Sequence, residues 1–229
     1  MPQRTTDSQI DFGFRTPRRP RPKKRGRPKK HGAGIPHLPR AFGARFPLHV
    51  TLRVRPHVWQ LRSRRCFTII EQAFFKAVAR VDARIAHFSV QHNHVHLVVE
   101  ADDARALGRA MQALCIRVAK RLNRLMDRRH GAVFADRYHS RPLRTPTEVR
   151  RALVYVLCNG RKHLPQVGHR LPSGWIDDYG SGAWFRGWTR PPPPQHGPSP
   201  ISEPATWLLA SGWKEKAGGP IGPDEMPSS

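Results

Sequence analysis

His92-Asn93-His94-Val95-His96-Leu97-Val98-Val99-Glu100 is the stretch of the chain that predicts the fold. Apolar residues alternate with histidines along it, and side chains of a strand point to opposite faces with a period of two, so it predicts a β-strand. One face of this strand is aliphatic and can close a core. The other carries His94 and His96, two imidazoles that can chelate one divalent ion and leave coordination positions open for catalysis. Histidines on a solvated strand give the same pattern, so the motif alone does not decide between the two interpretations.

Apolar periodicity predicts six further elements around this strand. They are a strand near 46–54, a helix near 67–82, a strand near 84–91, a helix near 103–129, an extended stretch near 131–143 and a helix near 146–163. Asp102 is the expected N-cap of the helix near 103–129, and Thr145 with Glu148 predicts a capping box at the start of the helix near 146–163. The order β-α-β-β-α-β-α predicts an α+β domain. We expect a small antiparallel sheet with helices on one face, of the ferredoxin-like or split βαβ type.

Composition divides the 229 residues into four expected segments. They are a disordered basic arm at 1–45, a folded domain at 46–164, a partly ordered aromatic extension at 165–190 and a disordered tail at 191–229. The arm holds 13 Lys and Arg against 2 Asp and has almost no aliphatic periodicity, so it cannot form a core. The tail is rich in Pro, Gly and Ser.

The charge of the chain predicts a polyanionic partner. Lys and Arg number 41 against 16 Asp and Glu, a formal net charge of +25, and nucleic acid is the usual partner of such a protein. In the arm, the run from Lys23 to Lys30 resembles an AT-hook, which places arginines in the narrow minor groove of A·T-rich DNA. The DNA contacts expected there are Arg25, Arg27, Lys29 and Lys30. A generic basic arm that binds phosphates without preference explains the run equally well.

Four further basic residues are expected to contact DNA. Lys120 and Arg124 lie on the polar side of the predicted helix 103–129, where basic residues predominate. Arg137 and Arg141 flank Tyr138 in the extended stretch 131–143, a setting that suits phosphate or base contact.

The cysteines and the lack of apolar runs predict a cytoplasmic protein. Cys66, Cys115 and Cys158 are odd in number and far apart, which favours reduced core thiols over disulfides or a zinc site. No apolar run approaches the roughly 18 residues needed to cross a bilayer, and the N-terminus lacks the apolar centre of a signal peptide.

The last predicted helix supplies a nucleophile. Tyr155 and Asn159 stand at i and i+4, which places them on one face of a continuous helix. A metal held by His94, His96 and the Asn159 side-chain oxygen would polarise a scissile phosphate, and Tyr155 would attack it in line. Of the other two tyrosines, Tyr138 has nothing to fix it relative to a metal, and Tyr179 falls in a Gly-rich stretch expected to be mobile.

Together, the His94-Val95-His96 strand, the segment Phe134–Leu143 and Tyr155-x-x-x-Asn159 resemble the single-tyrosine HUH transposases, most closely the REP-associated tyrosine transposases of bacteria. The resemblance covers about residues 46–164. It implies that the two histidines bind Mg²⁺ or Mn²⁺, that Asn159 completes the site, and that Tyr155 cleaves single-stranded DNA and stays attached to its 5′ phosphate.

The resemblance also implies a substrate and a location. We expect a DNA strand transferase that acts on single-stranded or hairpin DNA, including palindromic repeats, in the bacterial cytoplasm at the nucleoid. Two imidazoles and one amide favour Mn²⁺ over Mg²⁺, since Mg²⁺ prefers oxygen ligands. Two alternatives stay open at this point: a non-catalytic DNA- or RNA-binding module, and a metal hydrolase in which water is the nucleophile. The sequence does not distinguish a monomer from a homodimer.

Overall fold

A computed structural model describes residues 45–78, 82–164, 168 and 170–227 of the chain. The predicted arm, including its AT-hook-like run, lies outside the described residues except for Arg45.

A four-stranded antiparallel sheet forms the centre of the fold and has the order β2-β3-β1-β4. The strands are β1 (Leu48–Arg53), β2 (Ala83–Val90), β3 (His94–Ala101) and β4 (His139–Pro142). β1 pairs with both β3 and β4, and β2 pairs with β3. Thr51 lies opposite His96, and Arg53 lies opposite His94. The antiparallel α+β fold expected from the sequence is confirmed.

Two helices, α1 (Arg64–Val78) and α2 (Ala104–Leu125), cover the aliphatic face of this sheet. The alternation within each strand explains this arrangement, because Val50 on β1 and Leu97 on β3 are paired and point to the same side. Both are fully buried in one core with the helices. At its centre the rings of Phe74 and Phe88 lie 4.3 Å apart between centroids. The N-cap of α2 is Asp103, one residue later than expected, and its carboxylate accepts the Ala106 backbone N–H.

The third long helix, α3 (Pro146–Leu157), lies against the opposite face of the sheet. It forms a second core in which Leu153 and Val156 pack with Val98 and Ala86. The expectation of helices on one face therefore holds for α1 and α2 and is corrected for α3. Val98 adds an apolar residue to the face of β3 that also carries the histidines, and α3 packs against this residue.

Helix α3 begins at the predicted residue but ends earlier than predicted. Thr145 accepts the Glu148 N–H and the Glu148 carboxylate accepts the Thr145 N–H, so the capping box is confirmed. The helix was expected to continue to about residue 163, but it ends at Leu157, and a short helix α4 (Asn159–His163) follows Cys158. The C-terminal segment packs closely against the chain just after this break. A Cβ at Gly160 would lie 2.7 Å from the Asp177 carboxylate and 2.8 Å from the Trp175 ring, so the C-terminal segment presses on the chain there.

Residues 170–227 pack onto the domain, which corrects the prediction of a disordered tail at 191–229. Beyond a 3₁₀ turn at Ser181–Trp184, a π-helical turn at Leu208–Gly212 leads into α5 (Trp213–Lys216). The residues of this segment that are buried in the core of α3 are Phe185, Trp188, Leu208, Leu209, Trp213 and Ile221. The buried carboxylate of Glu100 on β3 fixes the segment by accepting the backbone N–H groups of Ala205 and Thr206 at 2.6 and 2.9 Å. The apolar residues of the C-terminal segment are irregularly spaced, so the sequence gave no periodic pattern from which its order could be predicted.

Cys66, Cys115 and Cys158 are free thiols. Burial raises the pKa of Cys115 and of Cys158 to about 12, so both thiols stay protonated and unreactive at neutral pH. Among the described helices, none has the length and apolar composition that a bilayer-spanning helix needs.

Candidate active site

The polar face of β3 brings two imidazoles together. The rings of His94 and His96 lie 4.6 Å apart between centroids and are nearly perpendicular, at 83°. His94 is half-buried at the start of the strand, and His96 is buried, with 4% of its surface exposed. The alternation that predicted the strand therefore also places both rings on one face, as expected.

A third histidine joins this pair and was missed by the sequence reasoning. His49 on β1 points to the same face, and its Nε2 lies 3.2 Å from Nδ1 of His96. The hydroxyl of Thr51 lies 3.2 Å from the same nitrogen. The signal for both was present in the sequence, because His49 and Thr51 alternate with the aliphatic residues of β1. Burial, and secondarily the nearby charges of Arg141 and His139, lowers the pKa of His49 to about 4, so its ring is neutral at neutral pH.

Tyr155 on α3 lies over these imidazoles. Its ring centroid is 4.9 Å from that of His96 and 5.6 Å from that of His49, and both contacts are edge-to-face. The helix presents the tyrosine here because its neighbours Val154 and Val156 are buried on either side. The predicted nucleophile therefore contacts one of the predicted metal ligands, His96, across the interface between α3 and the sheet.

The other two tyrosines lie in the core on the opposite side of the sheet. Tyr138 and Tyr179 both pack against the cluster that contains α1 and α2. Tyr179 is held in place, since its ring contacts Phe67 at 4.9 Å and the Arg62 guanidinium at 4.5 Å. The expectation that Tyr179 is mobile was wrong. Its separation from the histidines has another cause, namely that it packs on the other sheet face.

Asn159 is placed differently from the prediction. It begins α4, so the break at Cys158 separates it from Tyr155 and the two do not share one continuous helix. Its side chain is completely buried. Within the described part of the chain, neither its amide oxygen nor its amide nitrogen has a hydrogen-bond partner. A buried amide left in this state is costly, by about 1–3 kcal/mol, and such a group calls for a specific explanation.

The donor set is small and open. Residues 45–78, 82–164 and 170–227 contain no cluster of three or more His, Cys, Asp or Glu side chains arranged to hold a metal ion. The neighbouring imidazoles of His94 and His96 form a smaller donor pair, of the kind that leaves positions for a substrate. The Nδ1 atom of His94 lies 2.8 Å from the Asn93 side-chain oxygen, and that of His96 lies against His49. These contacts orient both rings, and Nε2 is then the atom of each ring that a metal would meet. Two neighbouring imidazoles have the chemistry to bind a divalent ion.

The predicted DNA contacts are distributed over both sides of the sheet. Arg141 lies on β4 opposite His49 and is exposed, so it borders the histidine face. Arg137 is exposed in the segment that leads into β4. Lys120 and Arg124 are exposed on α2, which covers the other face. The structure thus joins Arg141 to the site and leaves the two α2 residues apart from it. The four arm residues Arg25, Arg27, Lys29 and Lys30 lie outside the described chain.

Part of the chain matches the model of a known protein family. Residues 46–156 match the family model of IS200-like transposases. The match includes His94, His96 and Tyr155, whereas Asn159 lies beyond its end. Among solved structures, the chain is similar to a REP-associated tyrosine transposase bound to a REP hairpin, with 16% sequence identity, a TM-score of 0.44, and coverage of 56% of this chain and 74% of that chain. No curated protein matches the chain.

Proposed function

We propose, from the match of residues 46–156 to the family model of IS200-like transposases, that the protein is a metal-dependent enzyme that cleaves and rejoins single-stranded or hairpin DNA through a phosphotyrosine intermediate. The observation that carries the proposal is the contact of Tyr155 with His96, at 4.9 Å between ring centroids. It supports the proposal because it brings the proposed nucleophile against His96, one of two neighbouring imidazoles proposed to hold a metal.

Tyr155 is the proposed nucleophile. Its deprotonated phenol oxygen attacks the phosphorus, a bond forms between tyrosine and the 5′ phosphate, and the bond to the 3′ oxygen breaks. The 3′ oxygen leaves and takes up a proton to become a hydroxyl. Attack by that hydroxyl, or by another strand's, on the phosphotyrosine reverses the step and releases the tyrosine, so the energy of the phosphodiester bond is retained. Packing of α3 on the sheet restricts the ring, as in-line attack requires.

His94, His96 and Asn159 are the residues proposed to hold the metal. A bound Mg²⁺ or Mn²⁺ would supply positive charge that stabilises the scissile phosphate. The orphaned amide of Asn159 supports its part in this set, because a ligand would satisfy the buried oxygen. His49 is proposed to orient His96. Its neutral ring can accept the Nδ1 proton of His96, which keeps the lone pair of His96 on Nε2.

DNA is the proposed partner of the histidine face. Residues 46–164 hold 23 Lys and Arg against 8 Asp and Glu, so the basicity is not confined to the arm. Arg141 is the basic residue best placed to contact the substrate, since it borders the site on β4. Arg137 and the basic arm would add affinity along the backbone of the DNA, and Lys120 and Arg124 would contact a more distant part of it.

The proposal is tested with a labelled hairpin oligonucleotide carrying single-stranded flanks. With Mn²⁺, the wild type is expected to cleave one flank, and His94→Ala and His96→Ala are expected to lose cleavage and to weaken Mn²⁺ binding measured by electron paramagnetic resonance. His196→Ala, at an exposed histidine of the C-terminal segment, is the matched control and should keep both. Circular dichroism checks that the variants fold.

The same experiment separates the alternatives. Hairpin binding without cleavage by the wild type would favour a non-catalytic binding module. Cleavage that persists in Tyr155→Phe would favour a hydrolase that uses water. Cleavage and Mn²⁺ binding that both survive the loss of either histidine would contradict the proposed metal site.

A further inference from the structure

We propose that Trp59, in the loop between β1 and α1, is a stacking platform for an unpaired base of the DNA that enters the site at His94. The inference rests on the proposed function and adds to it a specific contact with the single-stranded part of the substrate.

The loop holds Trp59 in the solvent while its apolar neighbours are buried. Val58 and Leu61 are 8% and 1% exposed, whereas Trp59 is 46% exposed. Tryptophan carries a large apolar surface that is normally covered in a folded protein. Because Val58 and Leu61 are packed into the core, the conformation of the loop keeps Trp59 at the surface.

Arg62 anchors this loop to the rest of the domain. Its guanidinium donates to both carboxylate oxygens of Asp177, at 2.7 and 2.9 Å, and to the backbone carbonyl of Val90 at 3.1 Å. It also lies 4.5 Å above the ring of Tyr179. A platform that is already fixed loses little conformational entropy when a base stacks on it, which favours binding.

Backbone hydrogen bonds attach the loop to the turn that leads into the histidine strand. The N–H of Leu61 donates to the carbonyl of His92, and that of Val54 donates to the carbonyl of Asn93, each at 2.9 Å. The residue after Asn93 is His94. The loop that carries Trp59 is therefore bonded to the end of the sheet where the first proposed metal ligand lies.

The surroundings of Trp59 suit a polyanion that has exposed rings. The Arg65 guanidinium lies 5.6 Å from the ring centroid, and Arg55 and Arg64 are exposed nearby in the chain. The stretch from 53 to 70 contains no Asp or Glu. An aromatic ring among arginines is the combination with which proteins bind single-stranded nucleic acid, since the ring stacks on a base and the cations meet the phosphates. Paired bases within a duplex cannot offer a free face, so the occupant is an unpaired nucleotide.

The test compares two DNA probes and two tryptophans. Fluorescence anisotropy is measured for a hairpin with single-stranded flanks and for the same hairpin with blunt ends. Trp59→Ala is expected to weaken binding of the flanked hairpin by roughly 5- to 100-fold, the range of one base–aromatic stack, and to leave the blunt hairpin unchanged. The dependence of log K on log salt should keep its slope, because no phosphate contact is lost. Trp207→Ala, at a tryptophan of similar exposure (52%) in the C-terminal segment, should bind like the wild type.

A second measurement needs no variant. With 2-aminopurine placed at successive flank positions, the wild type should quench its fluorescence most at one position, where the base stacks on Trp59. Equal affinity of wild type and Trp59→Ala for the flanked hairpin would overturn the inference while leaving the proposed function intact. Equal weakening for both hairpins, or no position-dependent quenching, would also overturn it. Failure of the wild type to bind either DNA would remove the inference together with the proposed function.

Discussion

Replacing Asp177 with alanine tests whether the C-terminal segment is an integral part of the domain. Asp177 is 3% exposed and pairs with Arg62, whose side chain is 11% exposed. It also accepts the backbone N–H of Tyr179 at 3.0 Å. The change leaves a buried guanidinium without its anion, so its effect should greatly exceed that of losing a surface charge.

The expected magnitude follows from this burial. Breaking a buried ion pair by removing one partner costs about 3–5 kcal/mol. For a domain of this size a loss of 1 kcal/mol lowers Tm by roughly 2–4 °C, so Tm should fall by roughly 6–20 °C. Urea unfolding followed by circular dichroism measures the free energy. Glu203→Ala is the control, because Glu203 pairs with Arg186 at 3.2 Å with both side chains largely exposed, and it should cost roughly 0–1 kcal/mol.

A double-mutant cycle with Arg62→Ala isolates the pair itself. The two single changes should be strongly non-additive, because removing both charges leaves no uncompensated ion. A loss below about 1 kcal/mol in Asp177→Ala, or additive effects in the cycle, would refute the reasoning that this pair fixes the segment to the loop between β1 and α1.

Three further predictions concern pH, packing and the arm. Burial lowers the pKa of His87 to about 3, so below pH 6.5 only the unfolded state takes up a proton at this residue. The free energy of unfolding should therefore fall by about 1.4 kcal/mol per pH unit from this group as the pH decreases. Urea unfolding between pH 5 and 7 should show this slope for the wild type and not for His87→Gln, and an unchanged slope in the variant would contradict the prediction. Gly160→Ala places a Cβ 2.7 Å from the Asp177 carboxylate, so it should lower the free energy of unfolding by roughly 1–3 kcal/mol and reduce cleavage. Gly108→Ala meets no atom within 4 Å and should stabilise α2 by about 0.5–1 kcal/mol. Equal melting curves for the two variants would show that the neighbours of Gly160 move aside to admit the added methyl group. Deleting residues 1–45 should weaken binding to all DNA and make its salt dependence shallower, by roughly 0.7–0.9 in slope per lost phosphate contact, while cleavage at saturating DNA persists; loss of cleavage at saturation would place the arm in the catalytic assembly.

Local patterns in the sequence predicted the parts of the fold that depend on neighbouring residues. The alternation in β3 placed His94 and His96 on one face, and the capping box of Thr145 was read from four adjacent positions. The choice of Tyr155 as the candidate nucleophile rests on the same kind of pattern, a helix with a clear start, and stays a prediction.

The parts that the sequence did not predict depend on packing between distant segments. The C-terminal segment has no periodicity, and its order comes from single anchors such as Glu100 and Trp213. The break after Leu157 lies beside the close approach of Asp177 to Gly160, two residues 17 positions apart in the chain. His49 could be seen as a strand residue, but its contact with His96 depends on the register between β1 and β3.

The most direct test of the central claim is the identity of the residue that becomes covalently attached to DNA. Wild-type protein is incubated with a labelled hairpin oligonucleotide and Mn²⁺, boiled in detergent, and analysed by electrophoresis and by mass spectrometry of the peptide that carries the nucleotide. We predict an adduct at Tyr155 that Tyr155→Phe loses and Tyr138→Phe keeps. An adduct that persists in Tyr155→Phe, or one mapped to Tyr138 or Tyr179, would contradict the account.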